Sequence, residues 1–269
     1  MALLRDLLKI DYFKTLWINY VLFGFKGICI LPIIVGRRTQ IKGVRRGSIS
    51  IDLPMSQWKT GFIRLGISQG DTYAEHGLYS LVSLQRNCKI IFTGGGKTKI
   101  YGGCSLILRG NGVLYVGKDC IINQRTLICA HRSIKIGDYV EVGWGCQIYD
   151  TNFHLVYDAS KNAIRNPMRE VVIGHNSWLG NHVTIAKGAV LPPFSIVSAM
   201  SLVNKDFSAN KSEGSIYAGI PAKLIKDGGY FRIRNRQMES ALLRRFSLEQ
   251  LTCLEMDKNF DYLNNCLES

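Results

Sequence analysis

From Ile136 onward an aliphatic side chain returns every six positions: Ile136, Val142, Ile148, then Ile173, Leu179, Ile185, Leu191, Val197 and Val203. Four places after the anchors stand compact residues: Val140, Cys146, Ser177, Val183, Ala189, Ser195 and Ser201. A helix of 3.6 residues per turn cannot keep a six-residue repeat on one face, and a hairpin needs reversing turns. Short strands joined by equal bends can. Three units would close one triangular coil, with the anchor inside and the compact residue in the corner. Stacked coils then satisfy each other's backbone groups. Upstream the pattern is looser: Ile100 with Cys104, Val116 with Cys120, and Ile122 with Thr126. The steps from Leu106 to Val116 and from Ile128 to Ile136 carry extra residues, which predicts small loops there. The coils are expected to begin between Leu81 and Ile100. This divides the chain into a helical or irregular extension over 1–80, a coil over 81–227 and a helical region over 228–269.

The flanks have another character. Leu16 to Gly36 is almost wholly apolar, interrupted by Asn19 and Lys26 and bordered on both sides by Lys and Arg. Its length could span a bilayer, but a central lysine would cost about 2.5–3.5 kcal/mol on insertion scales. No small-residue cleavage site follows, which argues against a secretory signal. Two readings stay open: an interfacial helix on an anionic membrane, or a helix closing the end of the coil stack. After Gly229, Leu242, Leu243, Leu248, Leu251 and Leu254 at helical spacing predict a C-terminal helical cap. A basic run, Arg232, Arg234, Arg236, Arg244 and Arg245, accompanies them.

Charge narrows the partners. The formal net charge of +14 points to polyanions, yet no helix-turn-helix, zinc-finger or RNP-type pattern is present. A phosphorylated coenzyme and a membrane surface account for the charge better than nucleic acid does. The eight cysteines include no Cys-x-x-Cys pair, which favours structural thiols in a reducing cytoplasm. The expected location is therefore cytoplasmic, at most peripheral to the inner membrane face. Thr93-Gly-Gly-Gly-Lys-Thr98 has phosphate-loop composition but fails the Walker spacing at Ile91.

The repeat breaks at one place. His154 stands six after Ile148, where an anchor belongs, and the next anchor, Ile173, follows 19 residues later. A loop of that size leaving a regular coil is usually functional, and a broken local rule marks where function is expected. Imidazole, with an ordinary pKa near ~6.5, suits general acid–base work near neutral pH. His131, His175 and His182 fall at turns, and His76 precedes the coils. Asp150 is placed to orient His154 or to hold a turn. Trp178 offers a flat apolar wall or a core side chain.

The stretch from about Val116 to Asp227 resembles the hexapeptide-repeat acyltransferases, in particular the galactoside and maltose O-acetyltransferase branch. Three segments carry the likeness: Ile148-Tyr-Asp-Thr-Asn-Phe-His154, Val172-Ile-Gly-His-Asn-Ser-Trp-Leu-Gly-Asn181, and Ser195 to Asp206 with Tyr217-Ala-Gly-Ile-Pro-Ala-Lys223. The resemblance implies an all-β, left-handed parallel β-helix with helical flanks. It implies acetyl-coenzyme A as co-substrate, no metal, a carbohydrate acceptor such as a cell-surface polysaccharide, and a homotrimer with the site between subunits. It makes His154 the catalytic base and Asn123 its active-site companion. It places Trp178, Asn181, Ala199, Lys205 and Lys223 along the coenzyme, with Asn181 and Asn204 departing from the usual small or hydroxyl residues. A non-catalytic scaffold and a metal-dependent hydratase on the same fold are the alternatives; the hydratase would need closely spaced histidines, and the sequence has no His-x4-His.

Overall fold

In the computed structural model, which describes residues 7–67, 78–250 and 252–256, the chain winds as a left-handed parallel β-helix. Its strands stack into three sheets that form the faces of a triangular prism, with nine, seven and six strands among the described residues. The chain visits the faces in turn: Ile121–Ile122 on the first, Leu127–Ala130 on the second, Ser133–Ile136 on the third, then Glu141–Val142 on the first again.

The six-residue anchors account for this register. On the first face Ile122 pairs beside Val142, Val142 beside Leu179, and Leu179 beside Val197. Ile148, Ile185 and Val203 stack on the second face, and Ile136, Ile173 and Leu191 on the third. Every one of these anchors is buried, so the prism interior is a continuous aliphatic column. The compact residues fill the corners. Ser195 Oγ donates to the Pro192 carbonyl at 2.7 Å, Ser177 Oγ to Gly174 at 2.8 Å and Cys146 Sγ to Gly180 at 3.2 Å. Burial pushes the Cys104 and Cys120 thiols up to about 12 and that of Cys146 up to about 11.

The coil starts earlier than its spacing suggests. Ile33–Val35, Thr39–Lys42 and Ile49–Ile51 already form a complete first turn, pairing with Ile63–Leu65, Ser80–Leu84 and Lys89–Thr93. Here the strands run to five residues and the connections are long, so the repeat exceeds six and the periodicity is lost. The Thr93–Thr98 glycine run is one of these corners, tied down by the Lys97 N–H donating to Asp119.

The apolar run Leu16–Gly36 is likewise divided. Helix α1 (Tyr12–Phe23) ends at Gly24, helix α2 (Phe25–Ile30) ends at Leu31 in the left-handed region before Pro32, and the rest enters the first strand. Helix α1 closes the open end of the prism. Ile18 and Leu22 join the core, while Asn19 donates to the Ile33 carbonyl at 2.7 Å and accepts from its N–H at 3.2 Å. Thr15 Oγ1 accepts from the Val35 N–H. These side chains replace the strand that the first coil lacks on its outer edge. At the other end, Ile216–Gly219 turns back on Ala222–Lys226 as an antiparallel hairpin, burying Tyr217. Helix α3 (Arg236–Glu249) then lies with Leu242, Leu243 and Phe246 toward Trp178 on the first face.

Candidate functional site

At the corner between the second and third faces, where other coils turn in a few residues, residues 150–170 leave as an arm. Asp150 holds its root. The carboxylate is fully buried and accepts from the backbone N–H groups of His131, Arg132 and Ser133 at 2.7–2.8 Å, clamping the arm to the coil before it. It therefore holds a turn and has no bond to His154. A bridge between Thr151 and Met168 closes the neck, and Arg169 N–H returns to the Asp150 carbonyl at 2.9 Å. Phe153, left-handed at φ 63°, packs its ring against His131 and Tyr149 at 5.9 and 5.8 Å. The chain next presents His154, exposed, with its N–H bonded to the Asn152 carbonyl at 2.7 Å. The arm continues as a hairpin, Val156–Asp158 against Ala163–Arg165. Leu155, Val156, Tyr157 and Ile164 on it are all exposed.

The other sequence-predicted residues fall on different edges of the prism. Asn123, Asn181 and Ala199 lie in one column, where the first face turns into the second. Asn123 Nδ2 donates to the Val142 carbonyl at 2.8 Å, so its amide also serves a coil-to-coil bond. Asn181 Oδ1 accepts from the Trp144 N–H, and the Trp144 ring packs edge-on against His182 at 4.2 Å. Lys205 lies on the same edge as His154, two corners further along, with Lys187 between them. Lys223 is exposed in the final hairpin. Within one chain, then, His154 and Lys205 share an edge, whereas Asn123, Asn181 and Ala199 occupy the neighbouring one.

Trp178 is not a core side chain. It points outward from the first face, where the tail crosses it: Arg232 stacks 5.9 Å from its ring and forms an ion pair with Glu141. Arg234 lies 4.2 Å from the Tyr139 ring in the same segment. This strap, the Trp144–His182 pair and the apolar tip of the arm were missed in the sequence. The strap showed only as part of the basic run with Arg232 and Arg234, and the arm tip as apolar residues, Leu155-Val156-Tyr157 and Ile164, on either side of Ala159-Ser-Lys-Asn162. A groove of about 600 Å³ lies on the third face between Tyr115, Val172, Val190 and the 208–213 segment. No residue of the arm lines it. His131 is half-buried, His175 and His182 are exposed, and His76 lies outside the described residues. His175 Nδ1 stands 3.5 Å from Asp138 and accepts its backbone N–H.

No family model matches the chain. It is 26% identical over 114 residues to the galactoside O-acetyltransferase of Escherichia coli (strain K12), covering 42% of this chain and 54% of that protein. It is 30% identical over 125 residues to a putative lipopolysaccharide biosynthesis O-acetyl transferase, WbbJ, of the same strain, covering 44% and 62%. The chain thus spans little more than half the length of these relatives. Among solved structures, a hexapeptide-repeat acetyltransferase from Vibrio cholerae O1 biovar eltor, complexed with acetyl coenzyme A, matches at a TM-score of 0.42 and 21% identity, covering 52% of this chain and 71% of that one. The chain is similar to hexapeptide-repeat O-acetyltransferases.

Proposed function

We propose that the protein transfers an acetyl group from acetyl-coenzyme A to a sugar hydroxyl, in the assembly of a cell-surface polysaccharide. The observation that carries this reading is the arm at residues 150–170. A regular prism interrupts itself to present one exposed histidine, over a root fixed by the three N–H bonds to Asp150. Two relatives whose names describe O-acetyl transfer support the reaction class.

In the proposed reaction His154 takes the proton of the acceptor hydroxyl as its oxygen attacks the thioester carbonyl. The tetrahedral intermediate collapses, the C–S bond breaks, and the imidazolium returns the proton to the departing thiolate. Lys187 and Lys205, following His154 along the same edge, suit the phosphates of the coenzyme. Asn123 supplies an amide for the acceptor or the imidazole. Because it lies on another edge, the constellation is completed between chains. The exposed apolar residues of the arm need a surface to cover them, and a neighbouring chain in a three-fold trimer provides one.

The test is thiol release from acetyl-coenzyme A against a panel of glycans and nucleotide sugars, with and without chelator. Acceptor-dependent release that chelator leaves unchanged is expected. Absence of release with every acceptor would overturn the assignment, and abolition by chelator would favour the metal-dependent alternative.

A further inference from the structure

Helix α1 is largely apolar all round, but among the described residues it has a partner on only one side. Thr15, Ile18, Asn19 and Leu22 face the prism and are buried. At 100° per residue, Phe13, Leu16, Trp17 and Tyr20 occupy the opposite side. Phe13 is 79% exposed and Phe25, at the start of α2, is 76% exposed. At about 150–250 Å² per aromatic side chain, this face leaves on the order of 500 Å² of apolar surface in water. A helix apolar all round normally has both faces covered. Because α1 closes the prism, its uncovered face looks outward along the coil axis.

The charge around that face selects the occupant. Residues 7–60 hold nine Lys or Arg against two acids, Asp11 and Asp52, and Asp11 is already bound to Lys14 at 2.9 Å. Each corner of the first coil carries an exposed cation, Arg38, Arg46 and Lys59, and Lys26 is exposed beside Phe25. A second copy seated on this end would bring two such basic rims together, at separations where ordinary salt screens only partly. Anionic head groups would neutralise them instead. Aromatic rings on an apolar face with lysine and arginine behind it are what the boundary between acyl chains and head groups accommodates. Spanning is excluded for α1, since its 12 residues reach about 18 Å against a hydrocarbon core of about 30 Å.

We propose that this end docks the protein onto an anionic lipid bilayer, α1 lying in the interface and the coil axis standing away from the surface. The docking rests on the cap alone and is independent of the acetyl-transfer reading. It places the arm with His154 several coils from the lipid, at a height set by the strand spacing of about 4.8 Å per coil.

Flotation of the full-length protein with phosphatidylcholine vesicles, with and without phosphatidylglycerol, tests this without any turnover. Binding to the anionic vesicles is expected, falling at least tenfold in the triple variant Phe13→Ser, Trp17→Ser, Tyr20→Ser and in Lys26→Glu with Arg38→Glu. Both variants should keep the wild-type melting temperature, since each replaced side chain is outside the core. Three results would overturn the proposal. One is wild-type protein that stays at the bottom of the gradient at low salt. Another is equal flotation of the triple variant. The third is a particle mass that halves in the triple variant while no vesicle binding occurs, which would make a second copy the occupant.

Discussion

His154 and Asp150 sit four residues apart in opposite environments. The aspartate is buried and fully engaged with three backbone N–H groups, whereas the histidine is exposed. Their replacements should separate accordingly. His154→Ala should lower turnover by at least about 10²-fold, the lower range for general acid–base catalysis, with no change in melting temperature. A variant that keeps more than a tenth of the wild-type rate rules the histidine out as base. Asp150→Ala should instead destabilise the fold by roughly 2–3 kcal/mol, because buried donors lose their acceptor. Denaturant unfolding measures that loss. Sequence spacing showed where the repeat broke but left Asp150 between two roles. Its partners belong to the preceding coil, 17 to 19 residues back, and no local pattern announces them.

At the scale of elements, what was legible depended on regularity. From Ile136 the interval between anchors equals the interval between corners, and the stacking could be read directly. Before Lys97 the connections at 52–62 and 85–88 differ in length, and the same architecture lost its period. The cap was ambiguous because Asn19 looked like a flaw in an apolar run. It is the residue that lets the run be a cap, since it bonds both polar groups of Ile33. Asn19→Leu should therefore cost about 2 kcal/mol or more despite its added apolar character, an outcome readable from urea unfolding. An unchanged midpoint would mean that α1 does not close the prism edge. The corner thiols make a second prediction. Their ionised form is penalised by burial, so the folded state holds protons that the unfolded chain releases from about pH 9 upward. Stability from this source is complete below pH 9 and is lost toward about pH 12. Equilibrium unfolding across that range should show a decline that is shallower in Cys104→Ala with Cys120→Ala.

On the scale of the whole molecule, the prism sorts its surface features by edge and by end. The basic, aromatic end faces away from the coil. One edge carries His154 and the lysines after it, and the neighbouring edge carries Asn123 and Asn181. Sequence comparison with a family brought His154 and Asn123 into one site, but a triangular coil puts them on different edges. The proposed reading joins them across a subunit boundary in a trimer. Light scattering should then report three copies of the 30.2 kDa chain. A mixing experiment goes further, because it tests where the site is and not just how many chains assemble. Chains with His154→Ala and chains with Asn123→Ala are each expected to be inactive as pure trimers. Co-refolded in equal amounts, they should regain roughly a quarter of wild-type activity, since about one interface in four pairs an intact His154 with an intact Asn123 from its neighbour. If each site were built within a single chain, every chain in the mixture would carry one defect and activity would stay at the level of the pure variants. Recovery in the mixture, absent when the two variants are combined without unfolding, therefore assigns the histidine and the asparagine to opposite sides of a subunit boundary.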